Sequence, residues 1–349
     1  MLAGWNEDAA GSDGLDISEE STISVCLAGV GYDSSRNDLF EFFPVFARVT
    51  GTLDTGEEYF LNLQGFTTMT GRSESGYGDT DTVILRGSRR GDWFKATTTG
   101  ARMLTLNAWR NTQGFDIVTI YGRGFQDKPN TLILEDTPAA DTLRLRPLET
   151  TFVAPGQYDL SAYVCNTVEA TRVHRNTSED RVVLNDSEGN DTLVGDPAQV
   201  TMTGQIPMSG PEFSYKVTGF PDVMAYSSSS PDDYDTAFFS DFTEEGDTFT
   251  TTSTVAELTG EGYRLWARLF NEVHYRGEVY VFGAGGQDAA TLTDALADRT
   301  TSGPPTEMAL GQLAQILWLN RLEKIELDKT GARERAGSQH IDTVFAHWE

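Results

Sequence analysis

The stretch that decides the fold is Asp180-Arg181-Val182-Val183-Leu184-Asn185-Asp186-Ser187-Glu188-Gly189-Asn190-Asp191-Thr192-Leu193. Valine and leucine favour extended backbone, whereas aspartate, serine, glycine and asparagine favour tight turns. The stretch therefore predicts two short strands that are joined by an acidic glycine turn.

The same strand–turn–strand pattern recurs along the chain at a nearly constant interval. Its first strands contain, in order, Val25, Val83, Leu132, Val182 and Ala237. In the last four copies an aspartate follows nine or ten positions later, namely Asp92, Asp141, Asp191 and Asp247. A constant inner distance with variable steps between copies is expected when loops are inserted into stacked repeats. We therefore count five divergent copies, with a partial sixth that opens at Ala290.

A second motif follows each aspartate in four of the copies. It reads Gly65-Phe66, Gly114-Phe115, Gly219-Phe220 and Leu269-Phe270. One such unit cannot bury its apolar face alone, so neighbouring units must cover each other. For residues 21–303 we predict an all-β fold: a β-solenoid, similar to a parallel β-helix, of about five repeats of roughly 50 residues. A chain of small antiparallel β-domains is the structural alternative. The aromatic residues predicted to stack in the core are Phe94, Phe238, Phe239 and Phe249.

The two ends of the chain differ from this pattern. Residues 1–20 are acidic and contain no lysine or arginine, which predicts a disordered arm. Residues 304–349 are predicted to form a helical cap and a tail, because a solenoid must cover its open edge. The helix is expected over 306–330, between Thr306 and Gly331. Its apolar side would consist of Met308, Leu310, Leu313, Ile316, Leu317, Leu322 and Ile325.

Charge and composition exclude several classes of partner. The chain has 53 acidic and 26 basic side chains, so its net charge is −27. Nucleic acid and anionic lipid surfaces attract basic proteins, so we expect neither as a partner. No apolar run is long enough to span a bilayer, which predicts no membrane insertion. The acidic N-terminus does not read as a secretory signal. Cys26 and Cys165 are expected to be buried free thiols, with one bridge between them as the alternative.

Two stretches resemble a known kind of repeat. Residues 184–193 and 239–249 are similar to the Asp-Ser-x-Gly-Asp-Asp-Thr-Phe repeats of very large bacterial surface proteins. This resemblance implies an exported or cell-surface repeat protein, with an export signal outside this chain. Residues 189–196 are also distantly similar to calcium-binding RTX nonapeptides. Those need a Gly-Asp signature about every nine residues, whereas this chain has one such turn per repeat, so isolated calcium ions are the most that we expect.

Calcium is the one cofactor that the pattern supports. Carboxylates around glycine turns provide the hard oxygen ligands that calcium prefers. The predicted ligands form two sets, Asp186, Asp191 and Asp196, and then Asp241, Glu245 and Asp247. In the alternative interpretation, the repeated aspartates cap turns by accepting backbone N–H groups.

Signatures of catalysis are missing from the sequence. It has no Gly-x-Ser-x-Gly elbow, no phosphate-binding loop and no close spacing of histidines, so we predict no catalytic residues. The enzyme alternative is a polysaccharide lyase or glycosidase that uses Asp116, Asp222 and Glu272 on one face of a β-helix. Its sugar-binding groups would be Arg264, Arg268, Arg276, Tyr263, Trp266 and Tyr275.

These observations together predict a non-catalytic structural or adhesive module of an exported or cell-surface bacterial repeat protein. Its partner would be a protein or a glycan, and its strand ends could drive self-assembly. The alternatives are the carbohydrate-active enzyme and a calcium-stabilised scaffold.

Overall fold

A computed structural model describes most of the chain. The described residues are 22–26, 37–52, 56–73, 80–123, 128–175, 179–207, 210–228, 234–241, 248–251, 255–277, 289–293, 307–310, 315–320, 324–329 and 343–348. Every helix or strand assigned in them is a β-strand, so the fold is all-β, as predicted. None of the described residues forms a helix long and apolar enough to cross a membrane.

The chain divides into two compact units. Unit 1 comprises Met1–Asp141 and Leu148–Glu169, and unit 2 comprises Thr142–Pro147 and Ala170–Glu349. Each unit contains strands of two sheets, which we call A1 and B1 in unit 1 and A2 and B2 in unit 2.

The strands of unit 1 are β1 (Thr22–Cys26), β2 (Leu39–Phe42), β3 (Phe46–Thr52), β4 (Glu58–Gln64), β5 (Thr68–Arg72), β6 (Thr82–Arg86), β7 (Trp93–Thr97), β8 (Gly100–Thr105), β9 (Ala108–Gln113), β10 (Ile117–Tyr121), β11 (Thr131–Glu135), β13 (Glu149–Ala154), β14 (Tyr158–Tyr163) and β15 (Thr167–Thr171), through which the division runs. Their order is β1-β5-β9-β8-β7-β11-β15 in sheet A1 and β4-β3-β2-β6-β10-β14-β13 in sheet B1.

The strands of unit 2 are β12 (Thr142–Arg146), β16 (Arg181–Asn185), β17 (Thr192–Gly195), β18 (Gln199–Gln205), β19 (Glu212–Thr218), β20 (Asp222–Tyr226), β21 (Thr236–Asp241), β22 (Thr248–Thr251), β23 (Val255–Gly260), β24 (Tyr263–Arg268), β25 (Glu272–Gly277), β26 (Ala289–Thr293), β27 (Glu307–Leu310), β28 (Gln315–Asn320), β29 (Lys324–Lys329) and β30 (Thr343–Trp348). Their order is β19-β18-β17-β21-β25-β28-β27 in sheet A2 and β12-β16-β20-β24-β23-β22-β26-β29-β30 in sheet B2.

Five consecutive strands make one repeat, and we call them a to e in chain order. The first repeat is β1–β5, the second is β6–β10, and the fifth is β21–β25. Strands a and e pair in parallel on one sheet, as in β1 with β5, β6 with β10 and β21 with β25. Strands b, c and d form an antiparallel meander on the other sheet, as in β2, β3 and β4. The meander lies in B1 for the first repeat and in A1 for the second, so consecutive repeats exchange sheets.

Parallel pairing joins each repeat to the next. Strand b pairs with strand a of the following repeat, as in β2 with β6, β7 with β11 and β17 with β21. Strand e pairs with strand d of the following repeat, as in β5 with β9, β10 with β14 and β20 with β24. The order of repeats in the sequence thus becomes the order of strands in the sheets, which is the organisation of a β-solenoid. β26, which pairs with β22, opens the partial sixth copy.

The core lies between the two sheets of each unit. Side chains alternate along a strand, so every second residue points inward. In unit 2 the rings of Phe239 from sheet A2 and Phe249 from sheet B2 lie 5.9 Å apart. Phe94, Phe239 and Phe249 are buried, as predicted, but Phe238 is 39% exposed. The prediction for Phe238 was wrong because it neighbours Phe239 in one strand and must point to the opposite face.

The Gly-Phe motif marks the point where the chain leaves strand d for the other sheet. The residue before the aromatic residue, or before Cys165 in the third repeat, has a φ between 63° and 82°. This left-handed conformation favours glycine, because the Cβ atom of any other residue comes too close to its neighbouring backbone atoms. Three repeats use glycine and two tolerate a larger residue at the same place, listed as Gly65, Gly114, Val164, Gly219 and Leu269.

The predicted C-terminal helix needs a correction. The described residues between 306 and 330 form strands β27, β28 and β29 instead of a helix. The same apolar residues also fit a two-residue period in places, for example Met308 and Leu310 in β27. Pairing of β28 with β25 extends an existing sheet. The predicted acidic arm, residues 1–20, lies outside the described residues. Cys165 is a buried free thiol, and burial raises its pKa to about 12.

Candidate functional site

A column of buried aspartate and asparagine side chains runs along the beginnings of the strands. The residue before strand b donates its backbone N–H, over 2.7–3.0 Å, to the side chain of the residue before the next strand a. These pairs are Asp38 to Asp81, Asp92 to Asn130, and Asp191 to Asp235. The residue before strand a donates in the same way to the residue before strand e of its own repeat, as in Asp81 to Asp116 and Asp235 to Asn271.

The turn before strand b is closed by a second set of hydrogen bonds. A serine or threonine four residues before the aspartate donates both its backbone N–H and its hydroxyl to the carboxylate. The pairs are Ser88 with Asp92, Thr137 with Asp141, and Ser187 with Asp191. Turn capping by aspartate is therefore confirmed at these three positions. It explains why Asp92, Asp141 and Asp191 tolerate burial, since each of these carboxylates accepts hydrogen bonds from its own turn.

One cluster of acidic side chains stands out in the described part of the chain. Asp186, Asp191 and Asp235 each place a carboxylate oxygen within 4.8 Å of the others. Asp186 accepts the backbone N–H of Ser228, and Asp235 accepts the hydroxyl of Ser227 at 2.5 Å. Burial raises the pKa of Asp186, and together with the nearby Asp235 and Asp191 it brings that pKa to about 8, although the Ser228 N–H acts to lower it. Three carboxylates this close repel one another unless protons or a cation intervene.

The structure distributes the predicted calcium ligands differently from the prediction. It brings Asp186 and Asp191 together, but their third neighbour is Asp235, which the sequence analysis did not select. Asp196 follows the far end of β17, where its Oδ1 accepts the backbone N–H groups of Ala198 and Gln199 at 2.8 Å. Asp235 had a detectable signal, because it precedes strand a as Asp81 and Asp180 do.

The second predicted set of calcium ligands is mostly outside the described residues. Glu245 and Asp247 both fall there. Asp241 is the last residue of β21, and only its backbone is described. Calcium binding by this set stays a prediction.

A row of aromatic and arginine side chains crosses the outer face of sheet B1. We define this outer row as Phe60, Arg48, Phe43, Arg86, Tyr121 and Tyr163. The Arg48 guanidinium lies 5.9 Å from the ring centres of both Phe60 and Phe43. The Arg86 guanidinium lies 5.7 Å from Phe43 and 4.9 Å from Tyr121, whose ring stacks on Tyr163 at 5.3 Å. Neighbouring members are therefore in cation–π or stacking contact across adjacent strands.

Two further groups hold the outer row in place. Glu41 lies 3.4 Å from Arg48 and 3.0 Å from Arg86, so one carboxylate orients both guanidinium groups. The buried Arg110 holds the turn that contains Phe43. Its guanidinium donates hydrogen bonds to the carbonyl oxygens of Phe43 at 3.0 Å and Pro44 at 2.7 Å. Burial lowers the pKa of Arg110 to about 10, so it stays charged at neutral pH. Sequence reasoning missed this role because the contact joins residues 67 positions apart.

A second exposed aromatic feature lies on sheet A1. Trp93 and Trp109 meet edge to face with ring centres 6.0 Å apart. Trp93 lines an open depression of about 760 Å³ together with Arg90, Leu106 and Lys128. This depression is a second candidate binding surface in unit 1.

The carboxylate column of the enzyme alternative does not form as expected. Asp116 accepts the backbone N–H of Asp81, and Asp222 is paired with Arg181 at 2.9 Å and Arg264 at 3.2 Å. Glu272 opens β25 in sheet A2, whereas Asp222 opens β20 in sheet B2. The expectation that one repeat column lines one face was wrong, because alternate copies of the motif lie on different sheets.

The sugar-binding groups of that alternative are partly described. The Arg264 guanidinium stacks on the Trp266 ring at 4.3 Å, and the Arg268 guanidinium lies 6.0 Å from the ring of Tyr226. Tyr263 begins the same strand, β24. Only the backbone of Tyr275 and Arg276 is described.

Comparisons with known proteins found no related protein. No protein-family model, curated protein or solved structure matches the chain.

Proposed function

We propose that this chain is a non-catalytic structural and adhesive module of an exported or cell-surface bacterial repeat protein, and that it binds an acidic polysaccharide. The sequence resemblance to bacterial surface repeats supports the setting. The hydrogen-bonded aspartate column supports the structural part, because the repeated carboxylates are used to hold backbone groups and turns. Such a scaffold keeps the strand faces rigid.

The outer row is the observation that carries the adhesive part of the proposal. It crosses six adjacent strands and so spans about 24 Å, because neighbouring strands lie about 4.8 Å apart. Flat rings offer stacking surfaces to sugar rings, and guanidinium groups bind carboxylates or sulfates through paired hydrogen bonds. Arg48 and Arg86 share Glu41, so the row keeps one positive charge in excess within a chain of net charge −27.

A glycan array that compares acidic and neutral polysaccharides tests this function. We expect the intact chain to bind acidic polymers and to lose most of this binding when Tyr121→Ser and Tyr163→Ser are combined. Trp109→Ser is the matched control, because it removes an exposed ring from the other sheet of unit 1. Loss of binding in the control and not in the double variant would overturn the assignment to the outer row.

An activity measurement on the bound polymers separates this function from the enzyme alternative. Lyases leave an unsaturated sugar that absorbs ultraviolet light, and glycosidases leave new reducing ends. We expect neither product over a long incubation, because the Asp222 carboxylate forms ion pairs with Arg181 and Arg264. Product formation that depends on Asp222 would favour the enzyme.

A calcium-stabilised scaffold is a second candidate that is compatible with the first. The cluster of Asp186, Asp191 and Asp235 supports it, because a divalent cation would relieve the crowding of three carboxylates. The Ser227 hydroxyl, which donates to Asp235, adds a fourth oxygen beside the cluster. Thermal melting with calcium and with a chelator tests this candidate.

A further inference from the structure

Four apolar side chains of the second repeat lie together on the outer face of sheet A1. Strand pairing places Trp109 opposite Leu104 and Leu104 opposite Trp93, and Leu106 follows at the tip of the same hairpin. We call these four side chains the A1 corner. Leu106 is 48% exposed and Trp109 is 38% exposed. The two tryptophan rings stand nearly at right angles, with an interplanar angle of 82°. They therefore form an apolar angle that suits a protruding side chain.

Leu106 has a backbone conformation that leucine rarely adopts. Leu106 and Asn107 form the two-residue turn between β8 and β9, and their φ angles are 46° and 66°. Such a turn favours asparagine and glycine, because both residues must be left-handed. The other described turns between strands c and d contain a glycine with positive φ, namely Gly56, Gly156 and Gly262. Strain of this kind costs stability and is typical of positions that contact a ligand.

Two basic side chains flank the A1 corner. Arg90 and Lys128 line the same depression, and both are exposed. Gly91 lets their two segments approach, because a Cβ atom at Gly91 would lie 2.6 Å from the Cβ of Lys128. Among the described lining residues the acidic one is Asp92, which is buried and accepts hydrogen bonds from its own turn. The rim of the depression is therefore positive.

The strands around the corner extend this positive surface. β5, β7, β8 and β9 contain no aspartate or glutamate, although the chain has 53 acidic and 26 basic side chains. Arg72 on β5 and Arg102 on β8 are exposed. Lys95 on β7 pairs with Glu135 of β11. A basic surface within an acidic protein attracts acidic partners and repels basic ones.

We propose that the A1 corner binds an acidic peptide segment of a partner protein through an aromatic or aliphatic anchor side chain. The anchor packs against Trp93, Leu104 and Leu106, and carboxylates beside it pair with Arg90 and Lys128. Protein interfaces commonly combine a central apolar anchor with a charged rim. The lining favours a peptide over a polysaccharide, because leucine side chains cannot hydrogen-bond sugar hydroxyls. The proposal does not rest on polysaccharide binding, since the outer row lies on sheet B1.

A fluorescent nine-residue peptide made of three Glu-Glu-Tyr repeats is the probe, and its anisotropy with the full chain measures binding. We expect binding that weakens at least about tenfold when glutamine replaces each glutamate, or serine each tyrosine, of the peptide. Arg90→Glu combined with Lys128→Glu should cause a similar loss. Arg144→Glu combined with Lys216→Glu is the matched control, because it changes the net charge equally at exposed positions of unit 2. Equal losses in both pairs would overturn the proposal.

Leu106→Asn tests the anchor contact without adding charge. Asparagine suits the left-handed turn, so the Tm of this variant should equal or exceed that of the unmodified chain. Peptide binding should nevertheless weaken about fivefold or more, because the exposed apolar contact is lost. A leucine that only shapes the turn would not affect binding in a fully folded variant. Unchanged peptide binding by Leu106→Asn would therefore overturn the proposal.

Polygalacturonate distinguishes the peptide from a sugar polymer at the A1 corner. The chain with Tyr121→Ser and Tyr163→Ser should still bind the peptide, because its substitutions lie on the other sheet of unit 1. We expect polygalacturonate not to displace the peptide from that variant. Displacement that Leu106→Asn weakens would show that a polysaccharide occupies the A1 corner, and would overturn the proposal.

Discussion

Asp180 and Asp235 directly precede equivalent strands of unit 2, β16 and β21, yet the side chain eight residues before each aspartate differs. Arg172 occupies that position for Asp180, and its Nε lies 2.8 Å from a fully buried carboxylate oxygen. Ser227 occupies it for Asp235 and provides only a hydroxyl. The acidic residue before strand a is therefore kept while the group that balances it changes.

This difference explains where acidic side chains crowd together. Beside Arg172 the negative charge of Asp180 is balanced within the protein. Beside Ser227, Asp235 approaches Asp186 and Asp191 within 4.8 Å. The comparison teaches that the same repeat position has an arginine beside its carboxylate in one copy and only a hydroxyl in the other. The following variants test whether a cation completes the second arrangement.

The largest effect is expected when the arginine that pairs with the buried Asp180 carboxylate is removed. Arg172→Ser leaves Asp180 buried without its guanidinium, which should lower the free energy of unfolding by about 3 kcal/mol. Arg264→Ser is the control, because Arg264 pairs with Asp222 near the surface and such pairs contribute less than about 1 kcal/mol. Urea denaturation curves measure both. Equal losses in the two variants would contradict the assigned role of Arg172.

The next largest effect is expected from calcium at the cluster of Asp186, Asp191 and Asp235. Calcium at about 100 times its Kd should stabilise the chain by about 2.7 kcal/mol and raise its Tm. Ser227→Arg should abolish this shift, because the guanidinium would supply the missing positive charge beside Asp235. Differential scanning calorimetry with calcium and with a chelator gives the answer. Identical melting of the unmodified chain in both conditions would rule out a calcium site at this cluster.

A smaller effect is expected at the turn of Thr137 and Asp141, which lies outside the cluster of Asp186, Asp191 and Asp235. Thr137→Val removes the hydroxyl that donates to Asp141 at 2.7 Å and should cost about 1–2 kcal/mol. Thr203→Val, on the exposed face of β18, should change stability by less than about 0.5 kcal/mol. Thermal melting of the two variants compares them directly. A loss that is no larger for Thr137→Val would mean that the turn bond is not needed.

The smallest effect is expected when an asparagine replaces the acidic residue. Asn130 already fills the equivalent position in unit 1, where its side-chain oxygen accepts the Asp92 N–H at 3.0 Å. Asp235→Asn should therefore change stability by less than about 1 kcal/mol without calcium, since it keeps the acceptor and removes a charge. It should also remove any calcium shift. A strong destabilisation would show that the charge of Asp235, and not its acceptor oxygen, holds the strand.

The sequence predicted the fold more completely than the candidate functional site. The repeat copies at Val83, Leu132, Val182 and Ala237 correspond to strand a of the second to fifth repeats, because strand alternation and turn residues are local signals. The C-terminal strands escaped prediction, because the same apolar residues fit a helical period and only pairing with β25 decides between the two. Phe238 failed for a related reason, since composition alone does not give the face of a strand.

The amino-acid sequence by itself determined the period, the strand character and the aspartate at each turn, because each depends on neighbours within a few residues. Only the tertiary structure decided that consecutive repeats exchange sheets, and therefore that Asp222 and Glu272 lie on different ones. It also decided which carboxylates meet, since Asp191 and Asp235 are 44 residues apart and are joined through the parallel pairing of β17 with β21. Contacts of that range follow from strand register, which a pattern of local residues does not contain.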